Sequence, residues 1–262
     1  MGYETLIYEE RDAVAWVTLN RPDVLNAFNS VMMRELSEVW RSLRGNDAVN
    51  VAVLTASGEK AFCTGIDRSE IPSDGAPFDP LTYEDPGKKL GPKSNDFFKP
   101  VIAAVRGMAC GGAFYMLGEV EFIIAAEHAT FFDPHVTYGM TAAFEPIHMS
   151  GIMPFGEIMR LSLLGNYERL SARRAYEIGL VSEIAPKEQL HERTAWAANA
   201  IASQPPLAIE GTVRAIWGAR ELGHRQALRL GYAYVGLGTN QDSIAAGQKL
   251  FESGTRIDWR SR

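Results

Sequence analysis

The sequence predicts an α/β protein built from short buried strands, glycine-rich turns and helices. Residues 51–55 and 101–104 are apolar runs with the length and composition of buried strands. Each run is followed by a glycine turn, at residues 60–67 and 105–113, and the second turn leads into residues 114–117, which have the composition of a buried helix. This order of strand, glycine turn and helix places the chain in the α/β class.

The N-terminal part predicts a β-hairpin followed by an amphipathic helix. Residues 5–9 and 14–19 are rich in β-forming residues and are joined by a charged turn at residues 10–12. Farther along, apolar residues recur at spacings of three and four, which predicts a helix with one buried face; they are Met32, Leu36, Val39, Trp40 and Leu43. Asn29 or Ser30 is the expected N-cap, because short polar side chains accept hydrogen bonds from the free amides of a first turn.

The second half of the chain predicts two further strands and then mainly helices. The strands are expected at residues 119–126 and 129–132. The expected helices are residues 157–165 with Gly165 at the C-terminus, residues 172–178 capped by Ser171, a helix on Leu190 to Ile201 that stops at Pro205-Pro206, and helical segments from 207 to 220 and through 244 to 251.

Composition excludes several classes of protein. At 262 residues and 28.9 kDa, the chain can bury a sizeable core, and we expect one domain with a small appendage. A formal charge of −6 and a sequence pI near 5.5 give no reason to expect a nucleic-acid partner. The two cysteines lack disulfide or metal-ligand spacing, so we predict no metal. No leader pattern and no membrane-length apolar run is present, which predicts a cytoplasmic protein without a membrane partner.

The two glycine turns carry the chemical information in the chain. The first turn of a helix has amide N–H groups without an internal partner, and such a turn can hold a negatively charged oxygen. Two glycine turns after two strands could therefore supply one amide each. The alternative is that the glycines only allow a helix to pack tightly against a strand.

The order of these turns resembles the crotonase (enoyl-CoA hydratase/isomerase) superfamily. Residues 60–67 and 105–115 match the two turns of that family, residues 19–27 resemble its opening signature and residues 170–181 its late one. The resemblance implies a ClpP/crotonase-like spiral of ββα units over residues 1–200, with a helical C-terminal region at 201–262 that covers the CoA site and makes subunit contacts. It also implies acyl-CoA as substrate, no separate cofactor, and a homotrimer or hexamer.

The same resemblance implies which residues bind the substrate. The backbone amides of Ile66 and Gly112 are expected to hold the thioester oxygen, with Gly65, Gly111 and Cys63 in the same turns. Asn26 and Ala27 are expected beside the adenine of CoA. Asp67 and Tyr138 match positions near the site, although Asp67 is as readily interpreted as a cap for the next turn.

The chain departs from the hydratases of the family at two positions. Hydratases use two glutamates, and here these positions hold Tyr115 and His135, so ordinary syn-hydration is expected to be slow or absent. His135 is the first candidate for a base, since the pKa of an unperturbed histidine lies near neutrality. Glu145 is the nearest downstream carboxylate and either orients His135, acts as the base, or is a helix N-terminal carboxylate. Tyr115 is the next acid/base candidate and would mainly donate a hydrogen bond, followed by Asp133 and Tyr138, and a structural role is expected for each of these three.

Two other features bear on the acyl group and on CoA. Residues 71–96 are rich in proline and glycine and either cover the acyl pocket or form a surface loop. Arg256 is a possible substitute for the basic residue that contacts a CoA phosphate in relatives. Phenylalanines near the turns suggest a bulky apolar acyl group, with a core role as the alternative; they are Phe62, Phe97, Phe98, Phe114, Phe131, Phe132 and Phe144.

Three functions are compatible with these features. The preferred function is an acyl-CoA lyase, hydratase or isomerase with a remodelled acid/base set. The second is a hydrolase of a thioester or of a carbon–carbon bond beside a carbonyl. The third is a non-catalytic acyl-CoA-binding paralogue, against which the intact glycine turns argue.

Overall fold

The computed structural model of the chain describes residues 2–70, 85–254, 256–257 and 259–261. The prediction that residues 71–96 cover the acyl pocket therefore falls partly outside the described residues, at 71–84. The described strands are, in chain order, β1 (Leu6–Arg11), β2 (Val14–Leu19), β3 (Val51–Ala56), β4 (Ala61–Cys63), β5 (Val101–Val105), β6 (Met108–Cys110), β7 (Phe122–Ala126), β8 (Thr130–Phe132), β9 (Leu170–Ser171) and β10 (Glu183–Ala185).

The strands form two sheets. The larger has six strands in the order β1-β2-β3-β5-β7-β10, and the smaller has four in the order β4-β6-β8-β9. In the larger sheet β1 and β2 form the predicted antiparallel hairpin, while the other pairs are parallel. The chain passes from the large sheet to the small one three times, from β3 to β4, from β5 to β6 and from β7 to β8. The first two of these small-sheet strands are each followed by a glycine turn.

The described helices account for most of the second half of the chain. They are α1 (Ser30–Arg44), α2 (Ala113–Leu117), α3 (Phe144–Met149), α4 (Phe155–Leu164), α5 (Ala172–Glu177), α6 (Leu190–Ala202), α7 (Pro206–Glu221), α8 (His224–Gly238) and α9 (Gln241–Glu252). None of the helices in the described ranges is long and apolar enough to cross a membrane.

Local sequence signals account for several helix ends. The side chain of Asn29 accepts a hydrogen bond from the Met32 amide at 3.0 Å, and that of Ser171 accepts one from the Arg174 amide at 3.1 Å. Gly165 follows α4 with a φ of 58°, a left-handed value that glycine adopts readily. These three predictions are confirmed. The predicted strand at 119–126 is shorter than expected, since β7 begins at Phe122 and Glu119 instead accepts a hydrogen bond from the Ser94 amide.

Large aromatic side chains fill the space between α1 and the sheets. Trp40 and Phe97 stack with ring centroids 5.6 Å apart, and Trp40 donates a hydrogen bond to the Leu90 carbonyl at 3.0 Å. Phe62, Phe114 and Phe131 are also fully buried. Burial favours the core interpretation for most of the phenylalanines that were considered for an acyl pocket.

A buried ion pair joins the C-terminal helices to the sheet. Lys93 lies 2.9 Å from Glu121, and the indole N–H of Trp217, on α7, donates to the same carboxylate at 2.6 Å. Burial lowers the pKa of Lys93, and the charge of Glu121 opposes that shift. The pair thus fixes α7 against the end of β7.

Candidate active site

The two glycine turns lie directly against each other. Gly65 and Gly111 have φ values of 87° and 53°, in the left-handed region that favours glycine. A Cβ built on Gly65 would lie 3.0 Å from the amide nitrogen of Gly112, and one built on Gly112 would lie 3.3 Å from the Cα of Gly65. A side chain at either position would push the turns apart.

Phe28 fixes the direction of the first turn. Its amide donates to the Gly65 carbonyl at 2.8 Å, and its carbonyl accepts from the Asp67 amide at 2.8 Å, which forms a parallel bridge with Ile66. In that pattern the amide of Ile66 points away from Phe28. Neither the Ile66 amide nor the Gly112 amide donates a hydrogen bond to any residue within the described ranges. The sequence did not identify Phe28, although it directly follows the Asn26-Ala27 signature.

Beside the second turn, one imidazole lies between two buried carboxylates. The Nδ1 atom of His135 is 2.5 Å from Oδ1 of Asp133, and its Nε2 atom is 3.4 Å from Oε1 of Glu145. Asp133 directly follows β8, and Glu145 lies in the first turn of α3. Glu145 is therefore both a carboxylate at a helix N-terminus and a neighbour of His135. A Cβ on Gly111 would lie 3.6 Å from the Cε1 atom of His135. The imidazole therefore adjoins the second glycine turn.

Asp133, His135 and Glu145 form a row of three side chains, and their mutual contacts and burial shift the pKa values within it. The hydrogen bond that His135 donates to Asp133 raises the pKa of His135, while burial opposes the shift. Burial raises the pKa of Glu145, the charge of His135 opposes this, and the charges of Asp133 and Asp85 add to it. The Oδ2 atom of Asp133 is buried without a hydrogen-bond partner among the described residues. The pKa values of both His135 and Glu145 are thus raised, as is typical of groups that bind and transfer protons in a site.

A metal ion fits this row poorly. Ligand atoms of Asp133, His135 and Glu145 lie within 4.8 Å of one another, as a metal site would require. However, His135 and Asp133 are in direct contact at 2.5 Å, so an ion bound between these two atoms would have to break their hydrogen bond.

Tyr115 faces a different partner from His135. Its hydroxyl donates to Oδ1 of Asp85 at 2.6 Å, and the same oxygen accepts from the Gly87 amide at 3.0 Å. A Cβ on Gly87 would lie 2.4 Å from the Tyr115 ring, so the turn packs closely on it. Asp85 was not identified from the sequence, because nothing local distinguishes it from the other acidic residues in the irregular region.

Two residues near the first turn have structural roles. Asp67 forms an ion pair with Arg21 at 2.9 Å and accepts hydrogen bonds from the amide and hydroxyl of Ser69 at 3.1 and 2.7 Å. These contacts lower its pKa, with the Ser69 hydroxyl first, and favour the interpretation of Asp67 as a cap. Cys63 is fully buried, and burial raises the pKa of its thiol to about 12. Cys110 has the same shift for the same reason.

Asn26 and Ala27, the residues expected beside the adenine of CoA, lie next to a surface cavity. The Asn26 side chain donates to the carbonyls of Ser57 and Ala61, each at 2.9 Å, and Arg21 donates to the Ala27 carbonyl at 2.6 Å. A cavity of about 360 Å³ opens here, lined by Pro22, Asp23, Leu25, Asn26, Ser57, Gly58, Glu59, Lys60 and Ala61.

Two of the expected contacts are on the surface. Tyr138 is 54% exposed and its ring stacks under the guanidinium of Arg68, 5.0 Å from the ring centroid, so the structure does not bring it into the row with His135. Arg256 is exposed in the C-terminal tail.

The chain is similar to known proteins over most of its length. Residues 9–262 match the family model described as enoyl-CoA hydratase/isomerase. The (E)-benzylidenesuccinyl-CoA hydratase of Thauera aromatica is 33% identical over 210 residues, covering 79% of this chain and 80% of the relative. The short-chain-enoyl-CoA hydratase of Clostridium acetobutylicum is 33% identical over 224 residues, covering 82% of each chain.

The fold is also found in solved structures. The crystal structure of an enoyl-CoA hydratase/isomerase from Mycobacterium paratuberculosis superimposes with a TM-score of 0.88, at 35% identity and with all of both chains covered. The predicted mixed α/β, crotonase-like fold with a helical C-terminal region is confirmed.

Proposed function

The chain belongs to the enoyl-CoA hydratase/isomerase family, and from that membership we propose that it is an acyl-CoA lyase or isomerase with a non-standard acid/base set. One observation carries the proposal: the unpaired amides of Ile66 and Gly112 lie in two touching turns, and His135 adjoins the second turn. Formation of an enolate requires hydrogen-bond donors that stabilise the charge on the carbonyl oxygen and a base that removes a proton. The two amides and His135 can supply these groups.

The two amides serve as the oxyanion hole. The thioester carbonyl accepts hydrogen bonds from the N–H groups of Ile66 and Gly112, and both bonds strengthen as the oxygen becomes negative in the enolate. Loss of one donor of this kind typically costs about two to three powers of ten in rate.

His135 is the proposed base, and Asp133 orients it. With the Nδ1 proton donated to Asp133, the Nε2 lone pair is free to accept a proton from the carbon next to the thioester carbonyl. The electron pair of the broken C–H bond moves onto the thioester oxygen. Glu145, 3.4 Å from Nε2, accepts the proton and returns it at another carbon or to a leaving group.

Hydration of short enoyl-CoA is expected to be slow. By the resemblance, Tyr115 and His135 stand where the hydratases have their two glutamates, and the Tyr115 hydroxyl donates to Asp85. A phenol that donates its proton to a carboxylate is poorly placed to activate water as a base.

The test is turnover of crotonyl-CoA and a panel of larger enoyl- and oxoacyl-CoAs, followed by mass. We expect conversion of a larger thioester and little hydration of crotonyl-CoA. His135→Ala should abolish that conversion with binding retained, while His224→Ala, at an exposed position on α8, should not change it. Ordinary hydration of crotonyl-CoA, or an active His135→Ala variant, would contradict the proposal.

A hydrolase is the second candidate, favoured by the contact between Asp133 and His135. An imidazole held by a carboxylate is suited to activating water for attack on a carbonyl. Release of free CoA, or cleavage with addition of water and without a double bond, would select this function. Binding of acyl-CoA with no turnover across the panel would select the non-catalytic paralogue.

A homotrimer or hexamer is proposed from the C-terminal helices. Tyr232 on α8 and Phe251 on α9 are 83% and 88% exposed, and Ile216 on α7 is 62% exposed. Large apolar side chains this exposed are typical of subunit contacts. Light scattering that gives a monomer would contradict this.

A further inference from the structure

Two carboxylates contact the imidazole of the proposed site, and a third, Asp85, acts on one of them through its charge. Asp133 and Glu145 contact His135 directly, and Asp85 contacts Tyr115 three residues after Gly112. Even with His135 positively charged and Glu145 protonated, two carboxylates would face one cation. The cluster therefore has an excess of negative charge.

Among the described residues, His135 is the basic side chain that forms ion pairs with this cluster, while His148, whose ring lies 5.3 Å from that of Tyr115, pairs with Glu119 at 3.8 Å. Apart from His135, no arginine, lysine or histidine there forms an ion pair with Asp85, Asp133 or Glu145. Lys88 and Lys89, on the turn after Asp85, are exposed. Residues 71–84 contain no lysine, arginine or histidine in the sequence, so that segment adds no cation either.

Asp85 differs from the other two carboxylates in its partners. Its Oδ1 atom accepts hydrogen bonds from the Tyr115 hydroxyl at 2.6 Å and from the Gly87 amide at 3.0 Å. Both donors are neutral, so they hold the carboxylate in place and leave its charge uncompensated. The charge of Asp133, in contrast, is matched by its contact with His135.

We propose, on the basis of the function proposed above, that the site selects acyl groups without a negative charge and that Asp85 is the residue that sets this preference. A carboxylate on the acyl chain would approach the negative charges of Asp85, Asp133 and Glu145. Like charges repel strongly where water is excluded. Specificity then comes from repulsion of the wrong acyl group rather than from contacts with the right one. Because every acyl-CoA carries the same CoA phosphates, only the acyl end differs.

The experiment compares two thioesters of equal length, one ending in a methyl group and one in a carboxylate. For the native protein we expect kcat/KM to be about a hundredfold lower with the carboxylate. Asp85→Asn keeps an oxygen that accepts from Tyr115 and removes the charge, so the ratio should fall to about tenfold, mainly through the KM of the carboxylate substrate.

Two further variants serve as controls. Asp96→Asn removes a charge of the same type from an exposed carboxylate that pairs with Arg44 at 3.5 Å, away from His135, and should leave the ratio unchanged. Tyr115→Phe removes the hydroxyl donor but keeps the charge of Asp85, so the preference for the methyl-ended substrate should persist. Thermal unfolding of each variant verifies that it folds.

The outcomes separate this inference from the function on which it rests. If neither thioester is turned over, the proposed function fails, and the dissociation constants of the two thioesters then test the charge preference. Equal kcat/KM or equal affinity for the two, or an Asp85→Asn variant with the native ratio, would overturn the inference.

Discussion

The carboxylate of Asp133 holds His135 through two hydrogen bonds to one oxygen. Oδ1 accepts from the His135 amide at 3.1 Å and contacts its Nδ1 atom at 2.5 Å. Because the two residues are separated only by Pro134, whose ring restricts the backbone, the imidazole has little freedom to rotate. This arrangement sets both the orientation and the protonation of the proposed base.

Asp133→Asn is expected to lower kcat by about a hundredfold or more, because an amide does not stabilise the imidazolium that forms as His135 accepts a proton. The hydrogen bond that His135 donates to Asp133 is the largest cause of the raised pKa of His135, so its weakening lowers that pKa. The base must be unprotonated to act, and the acidic limb of the pH–rate profile should therefore move to lower pH. An unchanged limb would assign Asp133 a purely structural role.

Glu145→Gln should change the dependence of stability on pH. The pKa of Glu145 is raised by burial, so the folded state binds a proton more tightly than the unfolded state. Its contribution is fully present below the ordinary pKa near 4.5 and is lost as pH rises through the folded pKa. The variant, which cannot ionise, should show a smaller loss of unfolding free energy as pH rises above 4.5, measured by urea denaturation at a series of pH values. Parallel curves for the two proteins would contradict this.

Gly112→Ala should impair both packing and turnover. The new Cβ would lie 2.5 Å from the Phe28 ring and 3.3 Å from Gly65, so the two turns must separate. We expect a loss of about 1–3 kcal/mol of stability and about a hundredfold in kcat. Gly156→Ala is the matched control, since its Cβ meets nothing within 4 Å. Equal effects of the two substitutions on kcat would exclude a special role for the contact.

Glu121→Ala should destabilise the attachment of α7. Removal of this carboxylate leaves Lys93 buried without its partner at 2.9 Å, and such a change typically costs about 3–5 kcal/mol. Chemical denaturation measures the loss. The double variant Lys93→Met/Glu121→Leu should recover most of it, because no unpaired charge remains; failure to recover would mean that the contact with Trp217 dominates.

Local signals in the sequence predicted the elements well, and long-range contacts poorly. The limits of β2 follow from a run of β-forming residues and the cap at Asn29 from one short polar side chain, and both signals act within a few residues. The contact of Asp133 with His135 is local too, yet a carboxylate two residues before a histidine has many other uses.

The contacts that assemble the site have no local signature. Phe28 fills the space next to Gly112, and Asp85 accepts from Tyr115 across 30 residues of chain. Each depends on how separate turns meet in space, which no periodicity or composition encodes. The resemblance to a family identified the two glycine turns in the sequence. The structure shows that Gly65 and Gly112, one from each turn, lie against each other.

The two buried cysteines allow local opening of the glycine turns to be measured by thiol alkylation. Cys63 ends the strand before one glycine turn and Cys110 the strand before the other, and a thiol pKa of about 12 leaves about one thiolate in ten thousand at pH 8. Alkylating reagents react with the thiolate, so labelling of the native protein must wait for a turn to open. The rate of alkylation at each cysteine thus reports how often the adjoining turn opens. A ligand that contacts both turns should slow alkylation at both cysteines.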